Sequence, residues 1–480
     1  MGIMTSQQYL DSLRAQHPCI HIGGERVENV ADSPWFSISL REACAQYDWP
    51  HDPAFEKDFA AWSPFIEEKV SFWTHLRLGT DEVRKLVEVI KRNNARHFCS
   101  MCMGIGLSVM WATTWDVDRA RGTNYHANLR AFFEEIQRKD LRYCMGVMDP
   151  KGDRSLPPSR QADPDLHLRI VSRSREGIVV RGAKTHTSNA PLTHFMFVSP
   201  CRALGEDDRD YAVSFVTPID TKGLTLITRP APGPREPREM ESPVSTRIGF
   251  VECLSVFDDV FIPWERVFLS GEWEFTENFI NYFSPYVRIA KGTCTSARID
   301  ILAGAAALVA RMNGTERAGH IRHKITDMMI ASEIGWGCVL GSLASAKEHP
   351  SGIPVPDTGI SNAGLYHTRL KFIEFLGTLQ EIAGGIVTTM PVEADYRNEA
   401  TRAWIDKYLR GSAKFTTEDR MKLLYFIQDL TASRFSGYLM ASAICAGGTP
   451  ETNRVEVQRS YDLAGKMENV RAFCGLGMCG

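Results

Sequence analysis

The spacing of apolar residues changes twice along the chain. In the first part it is mainly helical: Thr80 opens a segment in which Val83, Leu86, Val87 and Ile90 line one face. This spacing is typical of an amphipathic helix that starts at a capping residue. The first part of the chain is therefore predicted to be helical.

From residue 141 to about 268 the chain consists of short β-branched runs separated by proline, glycine and aspartate. This pattern predicts strands joined by turns. The runs are 168–172, 177–181, 211–217 and 254–257. Residues 231–245, rich in proline and charge, are predicted to form a long exposed loop inside this β region.

Helical periodicity returns after residue 272. The glycine and alanine residues of 303–307 are small enough for helices to pack closely there. The order helix, sheet, helix predicts an α+β protein with three domains. Their predicted bounds are 1–140 for an N-terminal helical domain, 141–270 for a middle β domain and 271–480 for a C-terminal helical domain.

Composition narrows the class of protein. The 480 residues are 44% hydrophobic and carry a net charge of -3, which permits a large core and argues against nucleic acid or an anionic membrane as a partner. The longest apolar run, 299–310, is interrupted by Asp300, and the N-terminus lacks a secretion-signal pattern. The twelve cysteines have no disulfide-framework spacing. We therefore expect a cytosolic protein with mostly reduced thiols.

One polar turn in the β region is a candidate binding site: MDPKGDRS, residues 148–155. Its Pro-Lys-Gly centre lies between two acids and an arginine, so backbone N–H groups and a cation converge where an anionic ligand can bind. The predicted binding residues are Asp149, Lys151, Gly152, Asp153 and Arg154. A solvated turn between two strands is the alternative explanation.

Together with QADPDL at 161–166 and GIVVRGAKTHTSNAP at 177–191, this turn resembles the 4-hydroxyphenylacetate 3-hydroxylase / 4-hydroxybutyryl-CoA dehydratase family of flavoproteins. The resemblance extends from SQQYL at 6–10 to TTEDRM at 416–421 and is greater to the dehydratase branch. It implies an acyl-CoA-dehydrogenase-like architecture: N-terminal helices, a middle β-barrel and a C-terminal four-helix bundle. It also implies a homotetramer.

The resemblance implies that FAD lies between the middle domain and the bundle, with Arg154 as a fixed positive charge. The predicted FAD-binding residues outside the turn are His186, Thr187, Ser188, Gly384 and Gly385. The first three offer polar donors to a flavin ring, and the glycines let backbone approach a pyrophosphate, often from a neighbouring subunit. Helix packing also explains the glycine pair. No Gly-x-Gly-x-x-Gly follows a strand, which argues against NAD.

The dehydratases hold a four-iron four-sulfur cluster with two cysteines on a helix and, later, a histidine and a cysteine. The resemblance places the last ligand at Cys294 and puts Val287 at the histidine position. Cys99 and Cys102 are three residues apart, so on a helix they share a face and with Cys294 supply three thiolates. Buried thiols without metal are an alternative, and zinc with His97 is another. The sequence leaves the iron–sulfur cluster open.

Three residues are predicted to be catalytic: Glu252, His97 and Lys291. The resemblance puts Glu252 at an active-site glutamate of the family. Burial in its apolar strand context raises the pKa of a carboxylate and suits it to general acid or base catalysis. An exposed or salt-bridged structural glutamate is the alternative. Lys291 stands where the dehydratases carry a tyrosine near the substrate, and one alignment puts His97 at a cluster-ligand position.

Two enzyme classes follow from the resemblance. The first performs flavin-assisted elimination or double-bond isomerisation on a small acyl substrate, such as a CoA thioester. The second is a monooxygenase that receives reduced flavin from a separate flavin reductase and acts on an aromatic or related substrate. The missing histidine ligand favours the second class. A non-enzymatic flavin-binding scaffold is the third alternative, and it leaves Glu252, His97, His186 and Lys291 unexplained.

Overall fold

The computed structural model describes residues 2–97, 105–236 and 238–476, and for residues 95–97 the backbone only. Helices and short strands come first, a mostly β region follows, and long helices complete the described chain. The predicted α+β class is confirmed.

The N-terminal region is mainly helical, as predicted. Its elements are α1 (Ser6–Arg14), β1 (Cys19–Ile22), β2 (Glu25–Val27), α2 (Ser37–Asp48), α3 (Glu56–Phe59), β3 (Ala60–Ser63), β4 (Glu68–Ser71), α4 (Thr80–His97), α5 (Ile105–Arg121) and α6 (Tyr125–Lys139). The predicted amphipathic helix is α4, with Asp81 and Glu82 in its first turn. Carboxylates at this end favour the positive pole of the helix dipole. Its apolar face is buried in the core.

The middle region forms two sheets. Its strands are β5 (Tyr143–Gly146), β6 (Arg169–Arg173), β7 (Gly177–Lys184), β8 (Phe195–Val198), β9 (Val213–Pro218), β10 (Leu224–Arg229), β11 (Glu252–Pro263) and β12 (Val267–Ser270). One sheet has the strand order β2–β1–β10–β11–β7–β6 and the other β12–β9–β8–β5. In the part of the chain that the structure describes, these sheets are open at both edges, so the predicted closed barrel is replaced by two separate sheets.

The larger sheet takes two strands from the N-terminal region. β1 runs parallel to β10, with Cys19 opposite Thr225 and Ile22 opposite Thr228, and β2 pairs antiparallel with β1. The six-stranded sheet therefore includes residues 19–27, which lie near the start of the chain and far from its other strands in sequence. The domain bounds at 140 and 270 stay predictions.

The loop predicted to be exposed is exposed at residues 235–236 and 238–239, but its last residues pack against the helical region. Val244 is buried, and the backbone N–H groups of Val244 and Ser245 donate to Asp429 Oδ2 at 3.0 and 2.7 Å. Polar, proline-rich composition indicated solvent, but a buried carboxylate satisfies these two backbone donors. The loop belongs to the contact between sheet and helices.

The C-terminal region is built on three long helices. Its elements are α7 (Thr276–Asn313), α8 (Gly319–Ala344), β13 (Lys347–Glu348), β14 (Pro354–Val355), α9 (Thr358–Ala383), α10 (Glu393–Arg397), α11 (Glu399–Tyr408), α12 (Thr417–Thr431), α13 (Arg434–Cys445), α14 (Pro450–Ser460) and α15 (Leu463–Cys474). Helices α7, α8 and α9 pack on one another, and α12, α13 and α14 pack on α9. Gly335 permits the close approach of α8 and α9, since a Cβ there would lie 2.2 Å from Thr368 Cγ2.

Helix α7 connects the two halves of the interior. Its first part lies in a core shared with the N-terminal helices and both sheets, and its second part lies in the core of the helical region. The stretch Trp273–Asn313 contains an 18-residue window that is apolar enough to cross a membrane, but 72% of that window is buried inside the protein. A core helix of a globular protein has these properties as well.

Candidate functional site

The turn at residues 149–154 is held in shape by backbone geometry and one side chain. Gly152 has a φ of +54°, and a Cβ there would lie 2.5 Å from Gln161 Oε1. Gln161 accepts a hydrogen bond from the Asp153 N–H at 2.9 Å and donates to the Asp153 carbonyl at 2.8 Å. Glycine is thus required at this position, and the buried amide of Gln161 fixes the turn.

Asp149 lies behind the turn, where its carboxylate already has partners. Lys184 Nζ at the end of β7 lies 2.6 Å from Asp149 Oδ1, and the Cys201 thiol donates to Oδ2 at 3.0 Å. Burial raises the pKa of Asp149, but the Lys184 ammonium and the thiol outweigh burial and lower it. The Asp149 side chain is therefore an internal ion-pair partner, whereas the sequence predicted it as a ligand contact.

The other predicted residues of the turn face solvent. The side chains of Lys151, Asp153 and Arg154 are exposed. Asp153 Oδ1 accepts hydrogen bonds from the Ser155 N–H and Oγ at 2.9 and 2.7 Å. Lys151 and Arg154 thus present two cations to solvent on a turn whose backbone is held by Gln161. This arrangement suits an anionic ligand.

The segment that follows β7 continues the same surface. His186 is exposed and has a φ of +57°, while Thr187 is buried. The Thr187 hydroxyl donates to the Cys253 carbonyl at 3.0 Å and lies 2.7 Å from Ser255 Oγ. The Ser188 hydroxyl donates to Glu252 Oε2 at 2.7 Å. Thr187 therefore attaches this segment to β11, and His186 and Ser188 are its solvent-facing side chains.

Glu252 begins β11 and is half-buried between the sheet and the helical region. It accepts hydrogen bonds from Ser188 Oγ and, at 3.0 Å on Oε1, from the Tyr438 hydroxyl of α13. Each carboxylate oxygen thus has a hydroxyl donor, and the two hydrogen bonds fix the orientation of the carboxylate. Sequence reasoning missed Tyr438, because no local pattern marks a tyrosine on a distant helix as a partner of this strand.

The predicted metal ligands are only partly within the described residues. Cys294 on α7 is buried and accepts a hydrogen bond from Asn94 Nδ2 of α4 at 2.9 Å. Cys99 and Cys102 lie outside the described residues, and His97 is the last residue of α4, with its side chain undescribed. No group of three metal-ligating side chains occurs in the part of the chain that is described. The cluster therefore stays a prediction.

Lys291 lies one helical turn before Cys294, beside the loop between α13 and α14. A Cβ at Gly447, which has a φ of +75°, would lie 3.3 Å from Lys291 Cγ and 2.8 Å from Val287 Cγ1. This loop thus covers the face of α7 that carries Val287 and Lys291, both of which are half-buried. Val287 is the residue at the position of the histidine ligand. Lys291 and Cys294 thus lie on one helix, α7, whereas Glu252 is contacted by Tyr438 of α13.

Gly384 and Gly385 form the end of α9. Both have left-handed backbone, with φ values of +85° and +72°, and both are exposed. The N–H of Gly384 donates to the carbonyls of Gln380 and Glu381, so this N–H closes the helix end. The pair therefore explains helix termination, and its contact with a cofactor stays a prediction.

Two family models match the chain. The first, described as 4-hydroxyphenylacetate 3-hydroxylase N terminal, matches residues 5–269. The second, described as 4-hydroxyphenylacetate 3-hydroxylase C terminal, matches residues 276–475. Together they span nearly the whole chain, as the sequence motifs predicted.

Individual proteins are similar over the same length. A 4-hydroxybutyryl-CoA dehydratase/vinylacetyl-CoA-Δ-isomerase from Clostridium aminobutyricum is 32% identical, covering 99% of this chain and all of that one. The structure of an oxygen-tolerant archaeal 4-hydroxybutyryl-CoA dehydratase from N. maritimus superposes with a TM-score of 0.92 at 28% identity, covering 99% of this chain and 96% of that one. The oxygenase component of a 4-hydroxyphenylacetate 3-monooxygenase, complexed with FAD, superposes with a TM-score of 0.86 at 24% identity, covering 98% of each chain.

Proposed function

Since the chain belongs to the 4-hydroxyphenylacetate 3-hydroxylase family, we propose that it is an FAD-dependent enzyme of the dehydratase-like branch. The proposed reaction is elimination or double-bond isomerisation on a small acyl substrate, with CoA thioesters as the substrate class. The full-length similarity to a 4-hydroxybutyryl-CoA dehydratase carries the proposal. Glu252, with a hydroxyl donor on each oxygen, supports it as the acid–base group.

The residues of the 149–154 turn fit FAD. Exposed Lys151 and Arg154 offer cations to a pyrophosphate, and Gly152, where a Cβ would collide with Gln161, permits the turn that presents them. The exposed side chains of His186 and Ser188 lie on the same continuous segment as β7 and extend this surface. When bound, FAD supplies the electron transfer that removal of an unactivated hydrogen requires.

The chain's own residues provide the proton chemistry in this proposal. Glu252 takes a proton from the substrate carbon and returns it at another position, and Ser188 and Tyr438 hold its two oxygens in place. Lys291, half-buried on α7 beside the Gly447 loop, is assigned to substrate binding in this proposal. His97, predicted as catalytic, has no described side chain and receives no step.

The described residues do not assemble an iron–sulfur site. Of the three predicted cysteine ligands, Cys294 lies within the described residues, and Cys99 and Cys102 do not. Val287, at the histidine position, has no atom that binds metal. No step of the proposed reaction is therefore assigned to a cluster.

We extend the proposal to the architecture and assembly. The helix–sheet–helix order supports an acyl-CoA-dehydrogenase-like arrangement, with two open sheets in the described middle region. A homotetramer in the cytosol is proposed, with Gly384 and Gly385 contacting the FAD of a neighbouring subunit. Both glycines are exposed, so they are accessible to such a contact.

The second candidate function is that of a two-component monooxygenase with a separate flavin reductase and an aromatic substrate. The observation in its favour is Val287, which removes the histidine ligand that the dehydratases use. The family includes hydroxylases by its own description. In this case Glu252 orients the substrate and need not exchange a proton with carbon.

Anaerobic purification followed by iron, acid-labile sulfide and flavin analysis separates the two functions. Bound FAD with about four irons per chain would support the dehydratase-like reaction with a rearranged ligand set. FAD without iron would leave a flavin-only isomerase. A colourless protein that hydroxylates an aromatic substrate when it is supplied with reduced flavin and oxygen would support the monooxygenase.

Glu252→Gln tests the proton step directly. With vinylacetyl-CoA as substrate, we expect isomerisation to fall by about 100-fold or more, since general acid–base catalysis contributes on that scale. The matched control is Glu265→Gln, the same change at an exposed glutamate just after β11. Unchanged turnover in the Glu252 variant would contradict its catalytic assignment.

A further inference from the structure

Lys184, the last residue of β7, has its ammonium group fully buried and fully hydrogen-bonded. Its Nζ donates to the carbonyl of Val147 at 3.1 Å, to the carbonyl of Ser199 at 2.9 Å and to Asp149 Oδ1 at 2.6 Å. A lysine ammonium has three N–H donors, so each donor has an acceptor. Lys184 is 3% exposed, which leaves no surface with which to contact a ligand.

The acceptors of Lys184 come from different parts of the fold. Val147 directly follows β5, and Ser199 directly follows β8; these strands pair in the four-stranded sheet. Lys184 itself ends β7 of the six-stranded sheet. One side chain therefore joins the two sheets at the point where the chain leaves β5 and enters the 149–154 turn.

A second layer of groups surrounds the ion pair. The Cys201 thiol donates to Asp149 Oδ2 at 3.0 Å, and buried His167 lines the same small cavity of about 10 Å³ as Asp149, Lys184 and Cys201. A space of that size holds about one water. Because the pair is shielded from solvent, removal of one partner leaves the other charge without compensation, which is costly.

The neighbouring residue adds a backbone connection in the same place. The Thr185 N–H donates to the Met148 carbonyl at 2.7 Å, and the Thr185 hydroxyl donates to the Asp149 carbonyl at 3.2 Å. The start of the turn is thus attached to the end of β7 by side chain and backbone together. The position of Pro150 to Arg154 relative to Thr187 and Ser188 depends on this attachment.

We propose that Lys184 is a positioning residue that sets the 149–154 turn, through its ion pair with Asp149, in the conformation that binds FAD. This inference rests on the proposed FAD function. Lys184 acts from behind the turn, and the exposed cations and backbone in front of it meet the cofactor. Supporting partners of this kind commonly change the affinity of a site without touching its ligand.

The test compares Lys184→Met with Lys222→Met, which makes the same change at an exposed lysine between β9 and β10. FAD affinity is measured by flavin fluorescence titration, and the environment of bound flavin by visible circular dichroism. We expect Lys184→Met to weaken FAD binding by about tenfold or more and to alter the visible spectrum at saturation. The Lys222 variant should match the wild type in both.

A double variant, Asp149→Asn with Lys184→Met, keeps the test decisive if the single variant fails to fold, since it leaves no unpaired buried charge. A double variant that folds, binds FAD with wild-type affinity and shows the wild-type visible spectrum would overturn the proposal. Weakened binding together with a changed spectrum would support it, because loss of global stability alone does not alter the spectrum of flavin bound to folded protein.

Hydrogen–deuterium exchange separates this inference from the proposed function. In the protein without FAD, we expect amides of residues 148–156 to exchange faster in the double variant than in the wild type. A wild type that binds no FAD would reject the proposed function, while the exchange result would still report whether Lys184 fixes the turn. Equal exchange in both proteins would reject the positioning role.

Discussion

Two buried carboxylates, one behind the 149–154 turn and one on the N-terminal helix α2, respond to burial in opposite ways. Asp149 meets Lys184 and the Cys201 thiol, and its pKa is lowered although burial opposes this. Neither oxygen of Glu42 has a hydrogen-bond partner among the described residues. Burial raises the pKa of Glu42 to about 8, and the Arg142 charge lowers it only in part.

The difference shows that burial alone does not determine the charge of an interior group. Donors fixed at hydrogen-bond distance decide it, since they replace the hydration that burial removes. At pH 7 the region around Asp149 contains an ion pair, whereas Glu42 retains its proton. The ion pair of Asp149 fixes a geometry that the proposed site uses. Burial of Glu42 lowers the free energy of unfolding as the pH rises.

Replacing the carboxylate by an amide should therefore change the free energy of unfolding in opposite directions at the two positions. Asp149→Asn should lower it and has the larger effect. It leaves the Lys184 ammonium buried without a counter-charge, so we expect a loss of about 3–5 kcal/mol in the free energy of unfolding at pH 7. Urea denaturation followed by circular dichroism measures it. A loss below about 1 kcal/mol would mean that the pair is not sealed from water.

Glu42→Gln should stabilise the protein at neutral and alkaline pH. The folded-state pKa lies above the ordinary value of 4.5, so the folded chain keeps a proton that the unfolded chain releases as the pH rises. Wild-type stability therefore falls between about pH 5 and 8, and the variant should gain roughly 2–4 kcal/mol on the wild type across that window. Unfolding free energies at both pH values measure it.

The pH profile itself is the control for Glu42. Below about pH 4 the Glu42 carboxyl is protonated in the folded and the unfolded wild type, so the variant and the wild type should differ little. A gain that is equal at about pH 4 and pH 8 would assign the effect to packing of the amide instead of proton release.

Gly152→Ala tests how far the turn depends on its backbone once the ion pair is intact. The φ of +54° disfavours alanine, and the new Cβ would lie 2.5 Å from Gln161 Oε1. We expect a loss of about 1–3 kcal/mol, measured by thermal unfolding, with weaker FAD binding. Gly205→Ala, at an exposed glycine with open space and negative φ, is the matched control and should change little.

Cys201→Ala should change the free energy of unfolding least, and it tests how much the thiol contributes to the stability of the Asp149 carboxylate. It removes one thiol donor and keeps the lysine, so we expect a loss of about 1 kcal/mol at pH 7. Chemical denaturation of the variant beside Cys445→Ala, an exposed thiol, measures the difference. An effect as large as that of Asp149→Asn would show that the thiol, and not the ammonium, controls this carboxylate.

Local periodicity was sufficient for the helices and for the class of the fold. The apolar spacing after Thr80 predicted α4, and the β-branched runs predicted β7 and β9. The middle β-barrel that the resemblance implied is two open sheets in the described residues, and the sequence could not give this order because it depends on pairings between distant segments such as β1 with β10. The exposed-loop prediction holds for residues 235–236 and 238–239 but not for the end of the loop, since Asp429, the acceptor of the Ser245 N–H, lies 184 residues further along the chain.

For the candidate site, the sequence predicted the features that depend on neighbouring residues, and binding by those residues stays a prediction. Gly152 and the cations of the turn were identified from one motif, and the structure exposes those cations. The partners of the carboxylates were not, because Lys184 is 35 residues from Asp149 and Tyr438 is 186 residues from Glu252. No sequence pattern specifies which distant side chain will meet a given carboxylate.

The parallel pairing of β1 with β10 also constrains how the chain is made. Residues 19–22 leave the ribosome about 200 residues before their partners at 225–228. During that interval the hairpin of β1 and β2 has an unpaired edge, which must avoid neighbouring nascent chains. The central sheet is thus a late product of synthesis, and removal of the first 28 residues would leave β10 as a new edge prone to aggregation.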